Sequence, residues 1–412
     1  MNEGKDMEYQ SHTLANGIRL VHKKIASPVA HLGIFINAGS RDEETEEHGL
    51  AHFIEHAIFK GTKRRKAYHI LSRMEDVGGE INAYTTKEET CIHTSFLKND
   101  YERATELIWD IVFNSVFPGT ELNREKIVIL EEINSYKDDP AEQIFDDFEE
   151  LVFKNQPLGK NILGSPHLLK RFGKKEIERF IQNNYFTDEM VICSVGNVEF
   201  NTLVKYIEKY FGQLPTKTRT KPRVAFAGYQ PSIIYQDKHT HQAHCIIGNV
   251  AYQQDHPDKT AMILLDNLLG GPGLNSRLNL ALRERKGFAY HIESSYTPYT
   301  DTGIFNVYFG SDKKNLEKGI QLILKEFQLL KSKPLGIMQL KKAKRQLYGQ
   351  IAIQSENNAN LLLAMGKSYL LFNRVDTLED IHKKIEAVSA DEIQKIAHEV
   401  LDENKLSVLA YN

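Results

Sequence analysis

HLGIFINAGSRD (31–42) alternates apolar with small or polar residues and then runs into a polar turn, the pattern of a strand with one side in a core. HCIIGNVAYQQD (244–255) repeats that plan in the second half of the chain. Each is followed by a helical pattern with glycine near its end, GLAHFIEHAIFKGT (49–62) and TAMILLDNLLGGPG (260–273). Two strands joined by a polar turn come next in both halves, in GGEINAYTTKEETCIHTSFL (78–97) and GFAYHIESSYTPYTDTGIFNVYF (287–309). Each pair leads into a long amphipathic helix, ATELIWDIVFN (104–114) or LEKGIQLILKEFQLL (316–330). Strands and helices in this order predict an α+β unit used twice, the product of an internal duplication.

A chain of 412 residues exceeds what one hydrophobic core organises, which agrees with two domains. The break is predicted at LPTKTRTKP (214–222), with two prolines, alternating basic residues and little to bury. The expected layout is a catalytic domain over 1–213, a linker over 214–230 and a homologous inactive domain over 231–412.

With 41% hydrophobic and 26% charged residues the composition is that of a soluble globular protein. The 52 basic and 55 acidic residues are interspersed, so there is no electrostatic reason to expect nucleic acid or a membrane as partner. The densest basic run, Lys63-Arg64-Arg65-Lys66, reads as a solvated turn after a helix rather than a polyanion site. Cys91, Cys193 and Cys245 are far apart among apolar neighbours, as buried thiols in a reducing compartment would be. The opening MNEGKDMEYQ lacks a basic segment followed by an apolar run, and a cytoplasmic protein is the simplest expectation.

Within 50–58 the apolar Leu50, Phe53, Ile54, Ala57 and Ile58 share one helix face, and His52, Glu55 and His56 share the opposite one. Two imidazoles at i and i+4 lie one turn apart, so a single ion can take a nitrogen from each. A catalytic zinc needs a third protein ligand and a position for water. NREKIVILEEINSYKDDP (123–140) offers Glu125 and Glu132, seven apart on one face of a helix that stops before Pro140. A single carboxylate ligand leaves the site with net positive charge, enough to acidify a bound water and polarise a peptide carbonyl. Glu55 is then the base that takes the water's proton and passes it to the leaving amine.

The duplication sharpens this reading. With Ala51 set opposite Ala261, the second copy has Met262, Leu265 and Asp266 where the first has His52, Glu55 and His56. A scaffold needs only the mostly apolar set, so the first copy's polar groups point to chemistry. His48, also four residues from His52, is expected at the helix start or in support of the site rather than as a ligand. The run His239-Thr240-His241-Gln242-Ala243-His244 reads as a polar strand entry rather than a second metal site.

His-x-x-Glu-His, inverted relative to the commoner zinc-protease helix, is the inverzincin signature. Together with GSRDE (39–43), GGEINAYTTKEET (78–90), NREKIVILEEI (123–133) and LGGPGLNSRLNLALRERKGFAY (269–290), it makes the chain resemble the pitrilysin/insulinase metallopeptidases over essentially its whole length. The closest branch holds the mitochondrial processing peptidase β subunit and its bacterial relatives. The resemblance implies two homologous domains, each a mainly antiparallel sheet packed against helices as in the LuxS/pitrilysin-like metalloenzymes, with one Zn2+ per chain. The family's distal zinc-binding Glu lies about 76 residues beyond the second His, which here is Glu132, and its supporting helix carboxylate corresponds to Glu125.

The same resemblance gives Asn82 and Ala83 to an edge strand that pairs with substrate backbone. Arg283 and Tyr290 correspond to the family's pair that steadies substrate and oxyanion at the cleavage site. Gly270-Gly271-Pro272-Gly273 is shorter than the glycine-rich loop of the processing peptidase's noncatalytic subunit and reads as a helix-start turn. Chains of this length in the family usually build a four-domain chamber from two chains, the Arg/Tyr pair coming from the partner; because this chain has both the zinc motif and that pair, a homodimer is implied. The function expected is a zinc-dependent endopeptidase acting on peptides or unfolded protein segments inside a closed chamber. The alternative is a noncatalytic scaffold or assembly subunit of the same fold.

Overall fold

The computed structural model describes residues 9–412. Most of the N-terminal stretch read for a leader, residues 1–8, lies outside the described residues. Among the described residues no helix is long and apolar enough to cross a membrane. The chain divides into two compact α+β units, each built on one mixed, mainly antiparallel sheet.

The first unit takes the chain up to Ile133, then Asn161–Arg223 and Ile353–Thr377. Its strands are β1 (Gln10–Thr13), β2 (Arg19–Lys24), β3 (Val29–Ile36), β4 (Glu80–Thr85), β5 (Thr90–Leu97) and β6 (Met190–Gly196), in the order β1-β2-β6-β3-β5-β4. Only β2 and β6 run parallel. The central strand β3 explains why HLGIFI has hardly a polar position. Ala30, Leu32, Ile34 and Ile36 pack into the larger core with Leu50, Phe53 and Ile54. Phe35 points the other way, into a second layer with Val21, Cys91, Val191, Cys193 and Val195. That layer is closed by Leu362, Met365, Tyr369 and Leu370 of the helix Asn358–Phe372. A Cβ at Gly366 would run into the Phe35 ring, so only glycine lets this helix lie so close to the sheet.

The second unit comprises Asn134–Lys160, Val224–Ala352 and Leu378–Asn412. Its strands are β7 (Ile233–Gln236), β8 (Ala243–Ala251), β9 (Ala289–Pro298), β10 (Gly303–Ser311) and β11 (Ser407–Tyr411), in the order β7-β11-β8-β10-β9. Apart from β1 this is the first sheet again, strand for strand, with β7 and β11 as its one parallel pair. Its outer layer is closed by Ile144, Phe148 and Val152 of the helix Pro140–Val152, against Ile246, Tyr308, Leu409 and Tyr411.

The units therefore differ from the contiguous halves 1–213 and 231–412 expected from sequence. Residues 134–160 belong with the second unit and 353–377 with the first. The cause is burial: each sheet needs an apolar cover on both faces, and the cover of each is a helix from the other half of the sequence. The linker also differs from its expectation. Arg219, in the stretch 214–222 that offers little to bury, and Arg223 just after it are largely enclosed against Asp42.

All three cysteines are free and buried. The 63–66 run is a turn, in which Arg65 spans Glu106 and Asp110 at 2.7 and 2.6 Å. Gly270 closes the helix Lys259–Gly270 and the glycine patch follows it, so the patch ends one helix as well as preceding the next turn.

Candidate metal centre

Helix α1 (Leu50–Ala57) starts abruptly. Gly49 adopts φ +96°, a left-handed conformation that favours glycine, and a Cβ there would stand 2.7 Å from the Gly164 Cα. The buried Glu43 carboxylate accepts from the backbone N–H groups of Gly49 (3.0 Å) and Ala51 (2.8 Å), satisfying donors that a helix start leaves open. Leu50, Ala51, Phe53, Ile54 and Ala57 sink into the core and fix the rotation of the helix. That rotation presents His52, Glu55 and His56 together.

His48 lies just before the start of α1, where the sequence placed it, and its Nε2 is 2.8 Å from the Asn161 carbonyl. It is absent from the metal-competent cluster.

His52, His56 and Glu132 form that cluster, each contributing one donor atom, with all three atoms within 4.8 Å of one another. Glu132 Oε2 lies 3.7 Å from His52 Nε2 and 3.7 Å from His56 Nε2. These separations are too long for hydrogen bonds and close to the ~3.4 Å spacing of donors around a tetrahedral zinc with bonds of about 2.05 Å. The three groups converge without binding each other, and the donor set of two imidazoles and one carboxylate fits zinc.

Of the two acids on the helix Gly119–Lys137, Glu125 is engaged elsewhere. Its Oε2 is 3.1 Å from His56 Nδ1, and its Oε1 takes the Lys60 ammonium at 2.6 Å. A carboxylate on Nδ1 holds that nitrogen protonated and leaves the Nε2 lone pair facing Glu132. Burial, then the neighbouring His56, lowers the His52 pKa to about 4, so its ring stays neutral and able to donate a lone pair. The His52 Nδ1 has no partner in the structure.

Glu55 sits beside this cluster. Burial raises its carboxyl pKa, with Thr85 and His56 pulling the other way. Thr85 is the last residue of β4, so the helix and the strand meet at Glu55. β4 is the edge of its sheet, paired only with β5 through Asn82↔His93 and Ala83↔Ile92. Its free edge therefore offers backbone groups beside α1.

Arg283 and Tyr290 belong to the second unit, in the π-helical segment Asn279–Glu284 and at the start of β9. Both side chains are exposed. The Tyr290 hydroxyl donates to Asp312 Oδ1 at 2.9 Å, and that carboxylate holds the phenol pKa up.

The aligned helix of the second unit, Lys259–Gly270, has no comparable cluster among the described residues. Met262 and Leu265 are fully buried, and Asp266 has its carboxyl pKa pushed up to about 6, first by burial. The histidines of 239–244 do not assemble a site either: β8 begins at Ala243, and His244 Nδ1 is 2.9 Å from the Tyr308 hydroxyl. Sequence reasoning missed Glu43, Lys60 and Thr85. Lys60, four residues after His56, carried a readable helical spacing, whereas Glu43 and Thr85 act across loops and strands where spacing is silent.

Residues 19–166 match the family model described as insulinase (peptidase family M16), and residues 171–347 match the one described as peptidase M16 inactive domain. An uncharacterized zinc protease of Bacillus subtilis, YmxG, is 31% identical over 399 residues, covering 95% of this chain and 96% of that protein. The mitochondrial-processing peptidase subunit beta of Saccharomyces cerevisiae is 28% identical over 413 residues, covering 96% and 89%. Among solved structures, a protease from Helicobacter pylori superposes with a TM-score of 0.90 at 21% identity, covering 98% and 99% of the two chains. A peptidase M16 inactive domain from Pseudomonas fluorescens gives 0.91 at 20% identity, covering 98% and 97%. The likeness to these two structures concerns the fold; the relatives with higher identity carry the assignment. With both family models matched in order and a zinc protease similar along almost its full length, the chain belongs to the insulinase family of peptidases, M16.

Proposed function

We propose that this chain is a zinc-dependent endopeptidase that cleaves peptides or unfolded protein segments, with one zinc held by His52, His56 and Glu132. The observation that carries the reading is the convergence of those three donors, at distances where they do not bond one another, with the half-buried Glu55 carboxylate beside them. Zinc bound there supplies Lewis-acid polarisation of the scissile carbonyl and acidifies the attacking water.

The rest falls to the chain's own residues. Glu55 accepts the water's proton, and its raised pKa keeps it basic enough to take the proton and acidic enough to return it to the leaving amine. Glu125 holds the His56 ring in one orientation and tautomer. The open edge of β4, at Asn82 and Ala83, takes an extended peptide as an added strand, which suits cleavage tolerant of side-chain sequence. Arg283 and Tyr290 donate to the substrate and to the oxyanion as it develops, the Tyr290 hydroxyl turning from Asp312 to do so.

The working form is a homodimer that closes a chamber, which admits flexible chains and excludes folded ones. The buried, unpaired thiols support a reducing, cytoplasmic setting. The test is zinc content of the purified chain together with cleavage of a quenched extended peptide, using Glu55→Gln as control. One zinc per chain with cleavage abolished by that substitution is expected. Bound zinc with no cleavage dependent on Glu55 would assign the chain to the noncatalytic scaffold class instead, and a monomer by light scattering would remove the two-copy chamber.

A further inference from the structure

The first unit encloses a network of charged side chains away from the metal ligands. Arg223 donates from Nε and Nη2 to the two Asp42 carboxylate oxygens at 2.9 and 2.8 Å. The same Nη2 reaches the Glu88 carbonyl at 2.7 Å and the Asn37 carbonyl at 3.3 Å. Arg219 donates to Asp42 Oδ1 at 3.1 Å and also to the Asn37 carbonyl. Arg41 pairs with the Glu88 carboxylate at 2.6 Å, and its side chain is only 2% exposed. Arg223 and Asp42 draw each other toward their charged forms: despite burial, the Asp42 pKa is lowered and that of Arg223 raised.

This network grips one feature, the turn Thr86–Glu89 between β4 and β5. Ser40 and Arg41 donate their backbone N–H groups to the Thr86 and Lys87 carbonyls at 3.1 and 2.7 Å. A Cβ at Gly39 would lie 2.6 Å from the Lys87 carbonyl oxygen and 2.7 Å from the Glu88 nitrogen, so glycine lets the two loops touch. Asp42 in turn fixes Gly39 by accepting from its N–H at 3.0 Å. Thr85, one residue before the gripped turn, lies at the Glu55 carboxylate. A buried ion pair is a poor device for stability alone, because apolar packing of the same volume does as well. A bidentate arginine that also binds a main-chain carbonyl does something apolar packing cannot, which is to fix one direction of a turn.

We propose that Arg223 and Asp42 are positioning residues for the peptidase reaction: they hold the β4–β5 turn so that the substrate-pairing edge of β4 keeps one register beside Glu55. Arg223 is also the last residue of the first unit, so the segment that leaves the catalytic unit is anchored on the turn that aligns substrate. The assignment rests on the peptidase reading above. Releasing the turn leaves the zinc ligands untouched and obliges the substrate to order the edge strand on binding, a cost that falls on KM.

The experiment compares the full-length chain with Arg223→Gln and Arg223→Lys. Three readouts are taken: kcat and KM per bound zinc on an extended quenched peptide, affinity of a labelled peptide in the Glu55→Gln background, and hydrogen exchange of residues 84–92. For Arg223→Gln the expected result is KM and Kd raised about tenfold, kcat per bound zinc within about twofold, and faster exchange confined to the turn. Arg223→Lys keeps the charge but loses the bidentate grip, and it is expected to fall between. It is also the milder change should the glutamine variant fold poorly. Reduced melting temperature with unchanged KM and Kd would make the network merely structural and overturn the proposal. So would unchanged exchange at 84–92, or full recovery by lysine. A parent chain that neither cleaves nor binds peptide would defeat the peptidase reading itself, whatever exchange at the turn shows.

Discussion

Helix α1 and the helix Lys259–Gly270 follow the corresponding central strand in two sheets of the same order, and each packs against its sheet's edge strand. Both bury an apolar side that includes leucine and alanine. Where α1 carries His52 and His56, the other helix carries the fully buried Met262 and the enclosed Asp266. The fold thus requires neither imidazole at these positions, and no polar group at the first of them. The second unit fills the space with Met262 and an enclosed carboxyl, and the first gathers three donors beside Glu55 while a carboxylate, Glu43, stabilises the helix start. Predictions that treat the two helices alike test whether one position serves chemistry in one copy and stability in the other.

The largest effect is expected at Glu55. Glu55→Gln should leave zinc content unchanged and lower kcat by about 10³-fold or more, the scale of a lost general base combined with mispositioned water. His52→Ala or Glu132→Gln should instead lose the metal, measured by zinc analysis after dialysis. A Glu55→Gln chain that still cleaves at an undiminished rate would put the base elsewhere.

At the position aligned with His52, Met262→Ala should do the reverse. The side chain is fully buried, and its truncation should cost about 2–5 kcal/mol of stability in denaturant unfolding, with zinc content unaffected. If zinc fell with it, the two helices would not be the independent experiments that the duplication implies.

A smaller effect is expected at Glu125, which touches His56 rather than joining the three donors. Glu125→Gln should weaken zinc binding about 10–100-fold, with activity recovered in excess zinc. Recovery separates this residue from Glu132, whose loss added zinc should not repair.

How much of this was legible beforehand follows the reach of each signal. The β3/β8 repeat and the His-x-x-Glu-His face were readable because strand and helix periods are local, and both acids on one turn-spaced face of the helix Gly119–Lys137 were readable for the same reason. Spacing could not say which acid joins the histidines, since Glu125 and Glu132 lie two helical turns apart on that face; the His56 Nδ1 and Lys60 contacts separate them. Nor could it assign the helices Pro140–Val152 and Asn358–Phe372, because an apolar stripe does not state which sheet it will cover. The linker's basic residues gave no sign of burial because Asp42, which Arg219 and Arg223 reach, lies far away in sequence.

The smallest effect concerns pH, and there the two units should respond with opposite signs. The pKa of His52 is lowered to about 4, so the unfolded chain takes up that proton first and stability is lost as pH falls from about 6.5 toward 4. Asp266 is raised to about 6, so the folded chain takes up its proton first. Its ionisation weakens the fold as pH rises from about 4 through 6, by an amount on the order of 1–3 kcal/mol. Asp266→Asn removes that penalty. In the metal-free protein it should therefore raise the melting temperature by a few degrees at pH 7, with the gain fading as pH is lowered toward 4.5. A gain independent of pH would mean that asparagine merely packs better, and no gain at pH 7 would mean that the carboxylate is well served where it sits. A fading gain would identify Asp266 as a carboxyl kept neutral by its surroundings, at the place where the first unit holds its second imidazole.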